Sequence, residues 1–296
     1  MDLGGMTPSR RDFVATLGAA ALGSIGVDLR SRRSAKFRLG YASITWAGND
    51  RQAIDDIASL GFAGIQLRAN VIPQFKATEL RELLRSRQLS LVALSSGAVR
   101  LGPPESDQQM IDEHVARARY LRDAGGGFLQ VTDEKPAGRS VTADDIIRLG
   151  RLLTEIGKRT ADVGVALGYH NHMGTIGERP SDVDRILDAA DHRYVGFELD
   201  IAHYHQGGGD PVEAIRRHAG RLLFLHLKDV QATPTGYRFV ALGQGTVNVR
   251  GVVVALREIG FEGWAVIELD SVPPSTPQRT PKQCAEISLK YMESLR

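Results

Sequence analysis

Several familiar handles are missing from this sequence of 296 residues. It has one cysteine, Cys284, so no internal disulfide can staple the fold. No strand-like run is followed by the Gly-x-Gly-x-x-Gly turn that cradles a dinucleotide, and the triplet Gly207-Gly208-Gly209 stands outside that context and reads as a flexible loop. Past residue 36 nothing approaches the roughly 20 uninterrupted apolar residues of a membrane span. Charge of one sign is scarce too. The formal net charge is +2, and residues 1–36 hold six Lys/Arg against three Asp, a surplus that leaves the rest of the chain near −1. A near-neutral body without a basic stripe gives no electrostatic footing for nucleic acid.

What is present suffices for a substantial core, with 42% hydrophobic and 24% charged residues. The N-terminus is read apart from that core. Ser9-Arg10-Arg11-Asp12-Phe13-Val14 sets paired arginines before an uncharged segment, Val14 to Val27, and a second basic cluster runs from Arg30 to Lys36. This arrangement resembles a twin-arginine export signal, because the segment lacks the polar face of an ordinary amphipathic helix. Residues 1–36 are therefore expected to be a signal and linker directing the protein to the periplasm, and residues 37–296 the folded unit.

Within that unit, short apolar or β-branched runs alternate with longer amphipathic segments, the pattern of repeated βα units around a parallel sheet. Strands are expected at Phe37 to Ser43, Gly64 to Leu67, Ser90 to Leu94, Phe128 to Val131, Val165 to Tyr169, Val195 to Leu199, Leu222 to Leu227 and Trp264 to Leu269. Helices are expected between them and after the last, with Thr142 as an N-cap and Gly61, Gly125 and Gly260 as stops. Eight such units in this length predict a single-domain (β/α)8 TIM barrel.

Five of the eight histidines, His170, His172, His203, His205 and His226, fall at or just past the ends of the fifth, sixth and seventh strands. In a barrel those ends converge on one face, so residues distant in sequence become neighbours. Asp200 and Glu268, at the ends of the sixth and eighth strands, join the same set. Mixed imidazole and carboxylate donors suit a divalent transition metal better than calcium. Any one of these histidines taken alone would more often be a hydrogen-bonded helper or a surface residue; the clustering of the set argues for chemistry.

These motifs carry a resemblance. Gly40-Tyr41-Ala42-Ser43-Ile44-Thr45-Trp46, Tyr169-His170-Asn171-His172-Met173-Gly174-Thr175, Glu198-Leu199-Asp200-Ile201-Ala202-His203, His226-Leu227-Lys228-Asp229 and Val266-Ile267-Glu268 resemble those of xylose-isomerase-like sugar isomerases, epimerases and dehydratases, inosose dehydratases most of all. The resemblance covers nearly all of the chain after the signal. It implies that Asp200, His226 and Glu268 are metal ligands, with His170 where the sugar epimerases carry a fourth-ligand glutamate that is also one of two bases. It also implies that His203 contacts either the substrate or a residue that supports the ligands. Manganese is the first expectation, with cobalt, zinc, iron and magnesium as alternatives.

Loss of one of the two bases disfavours simple epimerisation and favours elimination, in which one base takes the proton α to a ketone and a β-oxygen substituent departs. Glu268 or His203 is expected as the base, His172 or His205 as the proton donor to the leaving group, and Lys228 as added positive charge, unless a salt bridge to Asp229 or another neighbour occupies it. Trp46, Gln66, Arg68, Glu134 and His205 are expected to meet a carbohydrate or cyclitol substrate, Trp46 as a stacking wall or else as ordinary core. Two other functions remain open: a sugar isomerase, and a catalytically silent carbohydrate-binding barrel. A three-metal endonuclease on the same scaffold fares poorly, since Gln66 and Ser95 stand where further ligands are needed and no Asp-x-His follows His226. A dimer or tetramer is compatible with this reading.

Overall fold

The computed structural model describes residues 37–275 and 277–295, so the expected export signal lies outside the described residues. Among the described residues there are ten strands: β1 (Arg38–Ala42), β2 (Gly64–Arg68), β3 (Ser90–Val99), β4 (Phe128–Asp133), β5 (Ala166–His170), β6 (Val195–Asp200), β7 (Leu222–Leu227), β8 (Asp229–Thr233), β9 (Gly236–Val240) and β10 (Trp264–Ile267). Eight of them close a barrel in the order β1-β10-β7-β6-β5-β4-β3-β2, every neighbouring pair parallel, while β8 and β9 form a separate antiparallel hairpin. The helices are α1 (Asp50–Ser59), α2 (Ala77–Ser86), α3 (Asp107–Asp123), α4 (Ala143–Asp162), α5 (Pro180–Ala189), α6 (Ile201–Gln206), α7 (Pro211–Arg217), α8 (Val249–Glu258) and α9 (Pro281–Glu293). The expected (β/α)8 barrel is the fold. No described helix is long and apolar enough to cross a membrane.

The barrel strands are buried on both faces, which is why they read as near-continuous apolar runs. Alternate side chains separate into two cores. Ala42, Val92, Ala93, Phe224, Trp264 and Val266 plug the interior, and a much larger cluster, including Tyr41, Ile65, Leu129, Leu167, Phe197 and Leu225, packs the strands against the helices. Local chemistry sets the helix ends. Thr142 caps α4 by accepting from the Asp145 N–H and donates its own backbone N–H to the Asp145 carboxylate in return, Thr280 does the same for α9 with Gln283, and Pro180 and Pro211 open α5 and α7, where a missing N–H costs nothing.

Three local features depart from the expectation. β3 runs on to Val99 because Ala98 and Val99 pair with Thr132 and Asp133 beyond a register shift. The hairpin of β8 and β9 is an element beyond the eight expected strands, inserted between β7 and α8. Two of the three glycines are tightly packed: a Cβ at Gly207 would collide with the carbonyl of Glu178, and one at Gly209 with the ring of Tyr204, while Gly208 lies in open space at φ 90°. Close approach at Gly207 and Gly209, and left-handed backbone at Gly208, call for glycine there.

One buried histidine outside the barrel mouth gives a test. His114 of α3 is 2% exposed, with Nδ1 2.8 Å from Ser96 Oγ. Burial, helped by the Arg117 guanidinium, pushes its pKa down to about 4 from an ordinary 6.5. Between those values the unfolded chain binds the proton and the folded chain does not. The stabilisation is therefore complete above pH 6.5 and lost as pH falls toward 4, by up to roughly 3 kcal/mol. Replacing the residue (His114→Gln) should flatten the urea-measured stability profile in that window; parallel wild-type and variant profiles would contradict the assignment.

Candidate metal centre at the barrel mouth

The site follows from the two-residue period of strands. On β6, Glu198 and Asp200 point to the same face; His226 and Lys228 do so at the end of β7, His170 and His172 at the end of β5, and Glu268 and Asp270 just past β10. Because the strands are parallel and closed, all of these pairs meet inside the same C-terminal mouth. Three overlapping groups, His170–Glu198–His226, His170–Asp200–His203 and Asp200–His226–Glu268, each offer ligand atoms lying within 4.8 Å of one another.

Hydrogen bonding separates the committed atoms from the open ones. Asp200 Oδ1 accepts from the backbone N–H groups of Ala202 and His203, capping α6, while its Oδ2 is buried without a hydrogen-bond partner. Asn171 fixes the same residue from below by bonding its backbone N–H and carbonyl. His226 Nε2 lies 2.9 Å from Gln66 Oε1 and 2.8 Å from Glu198 Oε1, and its Nδ1 stands 3.2 Å from Glu268 Oε2 and 3.7 Å from Asp200 Oδ2, again unpartnered. His170 Nδ1 and both Glu198 oxygens are likewise buried and unpartnered. Buried polar atoms in such numbers require a partner. An oxygen and nitrogen donor set pointed at one small volume is the chemistry of a divalent cation site, so these residues fit a metal.

Lys228 is 1% exposed and fully engaged. Its Nζ donates to Asp270 Oδ1 at 2.6 Å and Glu268 Oε2 at 2.9 Å, lies 3.3 Å from His203 Nε2, and sits 4.3 Å above the Phe239 ring of β9. Asp229 takes no part: its carboxylate accepts from the backbone of Val230, Gly243, Gly245 and Val247 and so folds the loop before α8. The His203 ring packs against His172 at 3.8 Å between centroids and against Phe239 at 5.2 Å.

Electrostatics divide these groups. Burial pushes Glu198 up to about 7, partly offset by His226. Burial acts on Asp200 and Glu268 in the same direction, but the neighbouring His203, Lys228 and His226 overcome it and hold both well below the carboxylate range. For Lys228 and His226 burial opposes charge, yet the surrounding carboxylates win and raise both. His203 is pushed down to about 3, chiefly by burial, and His170 is also lowered, by burial and by the proximity of His226. The mouth thus holds an ammonium beside a neutral imidazole.

The other expected contacts are placed differently. Trp46 is buried in the outer core, edge-on to Tyr41, with its indole N–H on Asp56 of α1, so it packs and does not wall the mouth. Gln66 is 2% exposed with both amide atoms used, by Gln130 and by His226, and lies beneath the cluster of candidate donors. His205 follows His203 by two residues on α6 and faces away from it. Arg68 and Glu134 are exposed at the rim, Glu134 paired with Arg100. Glu198, Asp270, Gln130 and Phe239 were not anticipated. The two-residue period from Asp200 and Glu268 pointed to the first pair; nothing local in the sequence marked the other two.

The sequence profile of the xylose isomerase-like TIM barrel matches residues 54–295. The chain belongs to that family. Within reach of it, an inosose dehydratase of Lacticaseibacillus casei is 26% identical over 294 positions, covering 86% of this chain and 96% of that one. The rhizopine catabolism protein MocC of Rhizobium meliloti is 29% identical over 278 positions, covering 80% and 82%. Among solved structures, the IolI protein with a zinc atom superposes with a TM-score of 0.75 at 18% identity over 88% of this chain and 98% of that one. The probable 3-DHS dehydratase AsbF of Bacillus anthracis gives 0.72 at 16% identity over 87% and 99%. At such identities the structures share the family fold.

Proposed function

We propose that this protein is a divalent-metal-dependent lyase that removes a proton α to the carbonyl of a keto-sugar, keto-glycoside or inosose and expels a β-oxygen substituent. The supporting observation is the pairing, at one buried point, of the Lys228 ammonium with the His203 imidazole, 3.3 Å apart beside the donor set. In this reading Asp200, His226, Glu268 and His170 hold the cation, manganese by preference. When bound, it supplies Lewis-acid polarisation of the substrate carbonyl. Substrate draws the Lys228 ammonium from His203 Nε2 onto its oxygen, and the freed Nε2 takes the α proton. Lys228, pinned by Asp270, holds positive charge where negative charge develops on the substrate oxygen, in a pocket dry enough for that charge to count. His172, stacked on His203, returns a proton to the departing oxygen, and Phe239 excludes water from the Lys228 side. The names of the inosose dehydratase relatives agree with a polyhydroxylated ketone as substrate.

With manganese or cobalt supplied, a 2-keto-inositol or a 3-keto-glycoside in deuterium oxide should exchange its α proton and lose a β-substituent, as followed by NMR. Chelation should abolish both, and His203→Gln should lower kcat by roughly 10²- to 10⁴-fold. Exchange accompanied by an epimer would make the enzyme an isomerase; no exchange with any metal would sink the mechanism.

We also propose periplasmic export, on the strength of the Ser9 to Val14 motif and the apolar segment after it. Changing Arg10→Lys and Arg11→Lys together should leave the protein in the cytoplasm on cell fractionation, and an undiminished periplasmic yield would contradict the assignment.

A further inference from the structure

Below the donor set, four strands contribute polar side chains to one connected group. Gln130 of β4 accepts a hydrogen bond at Oε1 from Gln66 Nε2 of β2, at 2.6 Å. That commits the amide nitrogen of Gln66, so its Oε1 is the atom turned toward His226 Nε2, 2.9 Å away on β7. An amide oxygen has no proton to give, and the contact is a hydrogen bond only when His226 carries its proton on Nε2.

The opposite arrangement, with both amides reversed and a bare Nε2, would keep the same distances. Glu198 of β6 decides between them. Its Oε1 lies 2.8 Å from the same Nε2, off the line to Gln66, and the carboxylate is completely buried with neither oxygen hydrogen-bonded. A carboxylate oxygen set against a ring-nitrogen lone pair is repelled, and against an N–H it is attracted, so Glu198 selects the proton on Nε2. Nδ1, between Glu268 Oε2 and Asp200 Oδ2, is then the nitrogen whose proton a cation would displace and whose lone pair it would take. Fixing the tautomer of a ligating histidine through its other nitrogen raises its basicity toward the cation and removes the cost of reorienting it.

We propose that Gln66, Gln130 and Glu198 are positioning residues that lock His226 in the Nε2–H tautomer and thereby set the affinity of the metal centre. This rests on the metal reading above and deepens it. It assigns a purpose to a fully buried carboxylate that the reaction itself does not use, and to a glutamine that never reaches the mouth.

The test uses the full chain and zinc alone, a diamagnetic probe. In zinc-loaded wild type with ¹⁵N-labelled histidine, the His226 ring should show a proton on Nε2 and the metal-bound signature on Nδ1. Gln66→Met, which keeps the volume and loses the acceptor, should weaken zinc 10- to 100-fold in a chelator-competition titration. Glu198→Gln, which keeps the shape and loses the charge, should weaken it about 10-fold by the same mechanism. Zinc affinity within twofold of wild type in both variants, or a proton on Nδ1 in the loaded wild type, would overturn the lock. Failure of wild type to take up zinc would instead overturn the metal reading, an outcome told apart because no variant is then needed to see it.

Discussion

Four carboxylates, Glu198, Asp200, Glu268 and Asp270, are drawn into one buried mouth, and much of the site's architecture answers the problem of holding them there. Each buried ion costs several kcal/mol even after relaxation, and the cost is recovered only by close, well-aimed partners. Lys228 is placed against Glu268 and Asp270 for that reason, Asp200 spends one oxygen on the first turn of α6, and Asn171 braces its backbone. Of the atoms left over, Asp200 Oδ2 and His226 Nδ1 lie 3.7 Å apart, and His170 Nδ1 stands 3.8 Å from Glu198 Oε1. A closed parallel barrel makes this possible because it fixes four strand ends, those of β5, β6, β7 and β10, rigidly around a common axis, where no single helix or loop could aim so many charges at one point.

The same geometry explains what could be read from the sequence. Apolar runs at regular spacing located the eight barrel strands, since strands covered on both faces need little else, and the residues at their ends gave His170, Asp200, His226, Glu268 and Lys228 as neighbours. Orientation was harder. Trp46 sits at the end of β1 yet turns outward to Asp56, because the 3₁₀ turn Ser43–Trp46 rotates it off the strand period. His205 shares a histidine-rich run with His203 but lies on a short helix, where residues two apart diverge. Gln66 lies on β2 with an inward side chain, one layer too deep to meet a ligand, and depth along a barrel axis is set by stagger between strands, which no single strand reveals.

The hairpin of β8 and β9 shows the limit from another side. Its strands carry no strong apolar alternation, being held by pairing with each other and by the Asp229 contacts that fold the following loop. Its contribution is to bring Phe239 over Lys228 and His203. A relative with a different segment here would keep the donor set and lose the apolar cover, which makes this the natural place for substrate preference to diverge within a shared scaffold.

The unpartnered donors at the mouth are proposed to hold one divalent cation. Anomalous diffraction at the manganese edge, from crystals grown with manganese, addresses it directly. A single strong peak is expected, bounded by Asp200 Oδ2, His226 Nδ1, Glu268 and His170, with Lys228 still on Asp270. No peak in the barrel mouth, or manganese confined to surface carboxylates, would contradict it.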